Sequence, residues 1–345
     1  MDHAFFSSNG SQIYFTFFSD FKTSNKVAVT VLETIVMSLV FIVSIVTNIS
    51  AIILMAKKKK LVTANCFVLN LFCADLLFIS MIPVILVIRW TEVWVLGEFI
   101  CHMHFYIICL SGCVTLISLS AVSLERMISI MKVTQATTCN VKVVVCGLLG
   151  IWLFSAFTAL PMCLFFKVVE QKVNGTVIPI CTLVWPNVGE EIAWDISFII
   201  LNFIIPGLII VASYTKIYKI TKSVRDRLIS CEAHQLKVSH RDYKLFRTLF
   251  ILMISFFIMW TPVAVLVLLL LLQNLHKQIS IPPTVFFWVT TLTFSNSVLN
   301  PILYNMNLFR QKWVQIILCH PLEGIADTET TTKRNENANI SHGTF

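Results

Sequence analysis

The chain has 345 residues, of which 57% are hydrophobic and only 13% charged, with a formal net charge of +8. Soluble domains have roughly a quarter of their residues charged, so this composition excludes an ordinary soluble protein. The positive charge is spread over short loops between apolar segments, which argues against a nucleic-acid-binding surface. A single membrane-embedded domain is therefore expected.

Seven long apolar segments follow one another, at residues 31–55, 66–88, 100–131, 143–166, 192–214, 245–272 and 281–304. A segment of about 18 or more apolar residues is long enough to cross the hydrocarbon core of a bilayer as a helix. Each crossing segment must satisfy its own backbone hydrogen bonds, so helices are predicted and strands are not. The fold class predicted is an all-α membrane protein, a seven-transmembrane helix bundle with a short amphipathic eighth helix.

Lysines and arginines between these segments set the orientation. They cluster at Lys57–Lys60 and at residues 216–227 and 241–247, and the positive-inside rule places these loops in the cytosol. The predicted organisation is an extracellular N-terminus at 1–29 and a receptor-like bundle at 30–304, with the C-terminus cytoplasmic. Residues 1–26 carry no evident cleavable signal peptide, so the first helix is expected to act as its own insertion signal.

The outer loops contain candidate sites of covalent modification. Cys101 and Cys181 are the two cysteines clearly placed on the oxidising side, and they are expected to form a disulfide that holds the second outer loop over the bundle. Asn9 and Asn174 stand in glycosylation sequons on the same side, although such sequons also arise by chance.

The C-terminal part is expected to associate with the inner leaflet. Residues 305–319 have an amphipathic pattern typical of a helix lying on membrane lipids, and Cys319 is either a palmitoylation site or a free thiol. Residues 320–345 have the composition of a disordered tail. Its candidate phosphorylation sites are Thr328, Thr330, Thr331 and Thr332.

An ordered set of motifs runs through the segments. The third ends in Glu125-Arg126-Met127, the sixth contains Met259-Trp260-Thr261-Pro262, and the seventh closes with Asn300-Pro301-Ile302-Leu303-Tyr304. The other segments carry Asn48, Asp75, Trp152, Pro206 and Tyr214. This set resembles the rhodopsin-like (class A) G-protein-coupled receptors, with Glu125 and Met127 as small departures from the family pattern.

Within that family, residues 69–80, 88–92, 121–127, 245–250 and 255–260 are similar to the receptors for long-chain fatty acids, and the similarity covers about residues 31–307. It implies a plasma-membrane receptor for free fatty acids. The expected partners are heterotrimeric G proteins, mainly of the q/11 class with the i class second, together with receptor kinases and arrestins. No nucleic acid is expected as a partner.

The resemblance also implies an activation switch. Its members are Glu125, Arg126, Tyr214, Phe256, Trp260, Pro262, Asn300, Pro301 and Tyr304. Without the resemblance, Arg126 would be interpreted as an arginine snorkelling to the interface, and Trp260 as a packed aromatic. Pro262 removes a backbone hydrogen bond and is expected to kink the sixth helix.

Asp75 is an ionisable residue near the predicted bilayer midplane, which makes it a functional candidate. Thr115, Asn296, Ser297 and Asn300 are expected to face it. The resemblance implies that this set supplies oxygen ligands for an allosteric sodium ion in the inactive state. The alternative is a hydrogen-bonded polar core without an ion. No other metal or cofactor is expected.

The ligand pocket is predicted to be apolar and aromatic. Ile108 stands where amine receptors carry an aspartate, and Phe294 stands where opsins carry the retinal lysine, so neither ligand class has its anchor. The alternative for these side chains is ordinary packing surface. The predicted lining is Trp94, Phe105, Ile108, Cys109, Gly112, Phe198, Asn202, Phe203, Trp260, Val263, Val267, Phe286, Phe287 and Phe294.

Arg89 lies in the outer half of the second segment, where its planar guanidinium would suit a ligand carboxylate. The residues alone leave open an ion pair with Glu92, or with Glu190 or Glu191 in the second outer loop. The resemblance favours the carboxylate role.

Other function classes have less support in the sequence. The chain contains no G-x-S-x-G, H-E-x-x-H or Walker A motif, so no enzymatic activity is expected. A transporter is disfavoured because seven segments show no inverted repeat. The remaining alternative is a class A receptor for another lipid or for a peptide.

Overall fold

A computed structural model describes residues 5–6, 12–19, 26–57, 63–131, 141–173, 175–229, 236–275 and 281–318. The helices in this part of the chain are α1 (Lys26–Ala56), α2 (Thr63–Ile79), α3 (Ile82–Thr91), α4 (Gly97–Met131), α5 (Val141–Phe165), α6 (Val188–Ile199), α7 (Ile205–Ile229), α8 (Leu236–Leu275) and α9 (Pro283–Leu318). The strands are β1 (Phe5–Phe6), β2 (Gln12–Ile13), β3 (Phe166–Val173) and β4 (Thr176–Leu183).

Six helical stretches of the described residues are long and apolar enough to cross a membrane: Val27–Ala56, Cys66–Thr91, Gly97–Met131, Val141–Phe165, Val188–Ser223 and Phe250–Leu275. They coincide with the first six segments predicted from the sequence. The seventh predicted segment lies in α9.

Two of the crossing segments are interrupted, each beside a proline. The second divides into α2 and α3 around Met81, and Pro83 stands in the first turn of α3. The fifth divides into α6 and α7 around a π-helical turn at Ile200–Ile204. Pro206 follows that turn and has no N–H to donate to the carbonyl of Asn202, so the backbone widens there.

Helix α4 is the centre of the bundle and packs against α2, α5 and α7. Asn70 on α2 ties three helices together, because its Nδ2 donates to Ser118 Oγ at 2.9 Å and its Oδ1 accepts from Trp152 Nε1 at 2.8 Å. A polar network between helices fixes their rotation, which apolar packing alone would leave loosely specified.

A β-hairpin follows α5 and was not part of the all-α prediction. Strands β3 and β4 pair antiparallel with Val168 opposite Cys181, and Gly175 at the turn has φ +85°, which only glycine adopts easily. Cys181 forms a disulfide with Cys101 near the start of α4, as predicted from the sequence. The hairpin is therefore anchored covalently to the central helix.

The chain divides into two compact units, residues 1–304 and residues 305–345. In the second unit the described residues are helical as far as Leu318. Asn9, Asn174, Cys319, Thr328, Thr330, Thr331 and Thr332 lie outside the described residues, so their predicted modifications stay predictions. The same holds for the predicted disordered tail.

Candidate functional site

A cavity of about 250 Å³ lies inside the first unit and is lined by residues from the helices, the hairpin and the N-terminal segment. Most of the predicted pocket residues meet there. They are Phe105, Ile108, Cys109, Gly112, Phe198, Asn202, Phe203, Trp260, Val263, Val267 and Phe286. These residues come from α4, α6 with the turn that follows it, α8 and α9, which are distant in sequence. The cavity where they meet is the candidate ligand site.

Four residues of the N-terminal segment Tyr14–Ser19 also line the cavity, which the sequence did not predict: Tyr14, Phe15, Phe17 and Phe18. The segment is held by the hairpin, because Thr182 Oγ1 donates to the Phe15 carbonyl at 2.8 Å and the Tyr14 N–H donates to Gln171 Oε1 at 3.0 Å. The closely spaced phenylalanines in this segment were the available signal, and they precede the first apolar helix.

Aromatic rings join this segment to the bundle. The Phe17 ring centroid lies 5.0 Å from that of Phe105, 5.1 Å from Phe166 and 5.2 Å from Phe286. Phe105 and Phe166 are stacked, with centroids 3.7 Å apart. Edge-to-face and stacked pairs of this kind each contribute about 0.5–1.5 kcal/mol beyond area burial, so the segment is a packed wall of the cavity.

Arg89 does not line the cavity. Its Nε and Nη2 donate to both carboxylate oxygens of Glu33 on α1 at 2.6–2.8 Å, and its Nη1 donates to the Phe18 carbonyl at 2.7 Å. The Arg89 side chain is 5% exposed and that of Glu33 is fully buried. The sequence-based assignment of Arg89 to a ligand carboxylate is therefore corrected, because a buried acid already neutralises it and it braces the N-terminal segment.

Three further predicted pocket residues pack outside the cavity lining. Trp94 is buried beside the hairpin, where its backbone N–H donates to the Pro179 carbonyl at 2.8 Å. Phe287 lies beneath the Arg89 guanidinium, whose Cζ is 5.1 Å from the ring centroid. Phe294 stacks on Phe78 at 4.3 Å, and Phe78 is the ring of that pair that reaches the cavity. The placements of Phe287 and Phe294 follow from the rotation of α9.

Trp260 lies at the cavity wall where α8 contains Pro262. Its ring packs over Gly112, since a Cβ built on that glycine would lie 3.4 Å from Trp260 Cη2. One turn away, Phe256 stacks on Phe203 of the π-helical turn at 5.8 Å. A ligand that moved the Trp260 ring would therefore press on α4 or on the proline-containing part of α8.

Asp75 is fully buried and accepts three hydrogen bonds. Thr115 Oγ1 and Ser297 Oγ donate to its Oδ1 at 3.3 Å, and Asn300 Nδ2 donates to its Oδ2 at 2.9 Å. Asn296 is also buried, and its Nδ2 has no partner within the described residues. The predicted polar cluster is therefore assembled, with oxygen atoms of the kind that a hard cation prefers.

At the opposite end of the bundle, Arg126 pairs with its neighbour Glu125, with Nε 3.8 Å from Oε2. Glu125 Oε1 also accepts from Ser129 Oγ at 2.8 Å. Tyr214 is buried and accepts a hydrogen bond from Ser123 Oγ at 2.9 Å. The predicted arginine–glutamate pair is present, and Tyr214 bonds to Ser123.

The family model "7 transmembrane receptor (rhodopsin family)" matches residues 47–304. The chain belongs to the rhodopsin family of seven-transmembrane receptors. It is a multi-pass membrane receptor and not an enzyme, and this membership confirms the predicted seven-helix bundle, with α9 as the seventh crossing helix.

The chain is also similar in sequence to individual receptors of this family. Free fatty acid receptor 4 of Rattus norvegicus is 48% identical over 340 residues, covering 96% of this chain and 94% of the relative. The Mus musculus protein of the same name matches equally well. Galanin receptor type 1 of Mus musculus is 26% identical over 315 residues, covering 87% of this chain. The predicted resemblance to a fatty acid receptor is thus confirmed.

Proposed function

We propose that this receptor binds medium- to long-chain free fatty acids in the cavity beneath the N-terminal segment and the hairpin. The observation that carries the proposal is the similarity to free fatty acid receptor 4 along nearly the whole chain. The apolar and aromatic lining supports it, because such walls suit an acyl chain. A receptor for another lipid is the second candidate.

The acyl chain supplies most of the affinity in this proposal. Each methylene that leaves water contributes about 0.8 kcal/mol, and ordering costs offset part of the sum. No lysine, arginine or histidine is among the described residues that line the cavity, so the carboxylate has no counter-charge in the wall. Short acids are therefore expected to be weak agonists.

The proposal is tested by shortening the cavity. Gly112→Leu places a four-carbon isobutyl group at the wall beneath Trp260. An acyl chain then loses room for up to about four methylenes, about 3.2 kcal/mol or roughly two hundredfold in affinity. The longest acids should lose affinity while shorter saturated acids keep theirs. Displacement of a fluorescent long-chain acid from purified receptor in nanodiscs measures this directly.

Gly150→Leu is the matched control for this experiment. Gly150 is exposed on α5, and a Cβ built there meets nothing within 4 Å, so its substitution should leave the affinity series unchanged. Equal losses for all chain lengths in Gly112→Leu would contradict binding of the chain in this cavity. A wild-type receptor that responds to no fatty acid would contradict the proposed function itself.

Signalling is proposed to run through the switch residues to the cytoplasmic end. A ligand in contact with Trp260 would move the part of α8 that contains Phe256 and Pro262. A linked movement of α9 would take place at Asn300, Pro301 and Tyr304. Opening would separate Arg126 from Glu125 and expose it to a G protein of the q/11 class, with the i class second. Dissociation assays for each G-protein class in cells treated with oleic acid decide this ranking.

Asp75, Thr115, Asn296, Ser297 and Asn300 are proposed to hold an inhibitory sodium ion. The buried carboxylate and its hydroxyl and amide neighbours supply negative charge and oxygen ligands. Sodium should lower agonist affinity on the wild-type receptor, and Asp75→Asn should remove that effect because the charge is lost. Agonist affinity is compared in sodium and in choline at equal ionic strength. A sodium effect that persists in the variant would contradict the site.

The remaining proposals concern location and modification. The receptor is proposed to lie in the plasma membrane with its N-terminus outside and its C-terminus inside. We also propose that Asn9 and Asn174 carry glycans and that Cys319 carries palmitate. Receptor kinases are proposed to phosphorylate the tail threonines, and arrestin then docks on them. Mass spectrometry of receptor purified from stimulated cells tests each modification, and unmodified peptides would contradict it.

A further inference from the structure

The charge of the cavity wall is the opposite of what a carboxylate ligand would need. Glu191 and Asp195 of α6 both line the cavity, one helical turn apart, and they are only 4% and 6% exposed. No basic residue accompanies them among the described lining residues. The sequence suggested Glu191 only as an ion-pair partner for Arg89 and gave no role to Asp195. It argued against an amine ligand on the basis of Ile108 alone.

The two acids differ in how well they are satisfied. Glu191 Oε1 accepts a hydrogen bond from Asn274 Nδ2 of α8 at 2.6 Å. Asp195 has no hydrogen bond or ion pair with any described residue, although it is more than nine-tenths buried. A buried carboxyl group without a partner is costly, so this group is suited to receive a donor from a ligand.

An unpaired donor lines the same cavity. Trp185 is buried, and its Nε1 has no hydrogen-bond partner among the described residues. Its ring lies 5.6 Å from that of Trp194, the residue that precedes Asp195 in α6. An unpaired acceptor and an unpaired donor in one apolar cavity match a polar head group that donates hydrogen bonds and can also accept one.

We propose that Asp195, with Glu191 and the Trp185 indole N–H, forms a polar subsite for a long-chain lipid whose head group is a hydrogen-bond donor without negative charge. A hydroxyl or an ammonium group on an alkyl chain has this chemistry. The inference rests on the proposed binding of an alkyl chain in the cavity. It also implies that a free acid binds with its carboxylate away from α6, because neither buried acid offers it a counter-charge.

Three ligands with one alkyl chain test the subsite: oleic acid, oleyl alcohol and oleylamine. Binding of each ligand to the purified full-length receptor in nanodiscs is measured directly by native mass spectrometry, so that no competing acid is needed. Asp195→Asn keeps the shape of the side chain and removes its charge. It should weaken oleylamine about tenfold or more, as expected for a lost charge-assisted hydrogen bond, weaken oleyl alcohol less, and strengthen oleic acid.

Two further variants keep the test interpretable. Glu190→Gln removes the same charge from the same helix at an exposed residue outside the cavity lining, so it should change none of the three affinities. Glu191→Gln should reproduce the Asp195→Asn pattern in weaker form, which protects the conclusion if Asp195→Asn folds poorly. Thermal unfolding of each purified variant reports folding.

The possible outcomes separate this proposal from the proposed function. Parallel changes for all three ligands in Asp195→Asn, or no binding of the alcohol and the amine to the wild type, would overturn the subsite. If the alcohol and the amine bind as expected while oleic acid does not, the subsite stands and the fatty acid function fails. If oleic acid alone binds and Asp195→Asn has no effect, the fatty acid function stands and the subsite fails.

Discussion

Substituting Arg89 by glutamine is expected to destabilise the folded receptor by about 3–5 kcal/mol, because it leaves the buried Glu33 carboxylate without its partner. The Phe18 carbonyl loses its donor as well, so the N-terminal wall of the cavity loosens. Affinity for oleic acid and for methyl oleate should therefore fall together. Thermal unfolding of the purified receptor and displacement binding measure the two effects.

Glu33→Gln should cause a loss of similar size, since it leaves the Arg89 guanidinium buried and uncompensated. Replacing both residues by apolar ones, Arg89→Met with Glu33→Leu, should recover much of the stability because no unpaired charge remains. Glu92→Gln is the control, because Glu92 lies close to Arg89 in the chain but is not part of the Arg89–Glu33 ion pair. A non-additive double variant would assign the effect to the pair.

The opposite result would support a role for Arg89 in binding the ligand carboxylate. In that case Arg89→Gln would weaken oleic acid and leave methyl oleate unchanged, because only the acid forms a charged pair. Glu33→Gln would then bind oleic acid as well as the wild type or better, since it frees the guanidinium. The geometry predicts neither behaviour.

Arg126→Ala is expected to abolish agonist-stimulated nucleotide exchange while leaving ligand affinity close to that of the wild type. The Arg126 side chain is one-third exposed and far along α4 from the cavity-lining residues of that helix, so its loss does not disturb the ligand. Nucleotide exchange on a purified q/11-class G protein, measured beside displacement binding on the same preparation, checks both parts.

Glu125→Gln provides the complementary variant. It keeps the shape of the side chain and removes the charge that holds Arg126 at 3.8 Å, so exchange without agonist should rise. Retained coupling in Arg126→Ala at wild-type efficacy would contradict the role of this arginine. A fall in ligand affinity equal to the fall in exchange would indicate misfolding.

The membrane class and the order of the crossing helices followed from local sequence alone. Hydropathy over a segment of membrane length depends on the residues of that segment, and the structure places six apolar crossings where the pattern predicted them. The Glu125–Arg126 pair was expected only from the resemblance, because the residues alone favoured an arginine at the interface. The disulfide also followed, because compartment left few cysteines to choose from.

Several parts of the site depended on contacts that no local pattern encodes. The partner of Arg89 is Glu33, 56 residues away on α1, whereas the sequence offered only nearby acids and the outer loop as alternatives. The N-terminal phenylalanines reach the cavity through hydrogen bonds to a hairpin more than 150 residues later. Contacts of this range are made by the assembled bundle.

The sequence by itself determined that this protein is a seven-helix membrane receptor with a polar centre at Asp75. Only the tertiary structure decided that Asp195 faces the cavity while Phe287 and Phe294 do not line it. The physical reason is that lipid-facing and core-facing residues of a membrane helix are equally apolar, so hydropathy does not fix the rotation of the helix. Packing, the π-helical turn before Pro206 and hydrogen bonds between helices such as Asn70–Trp152 fix it instead.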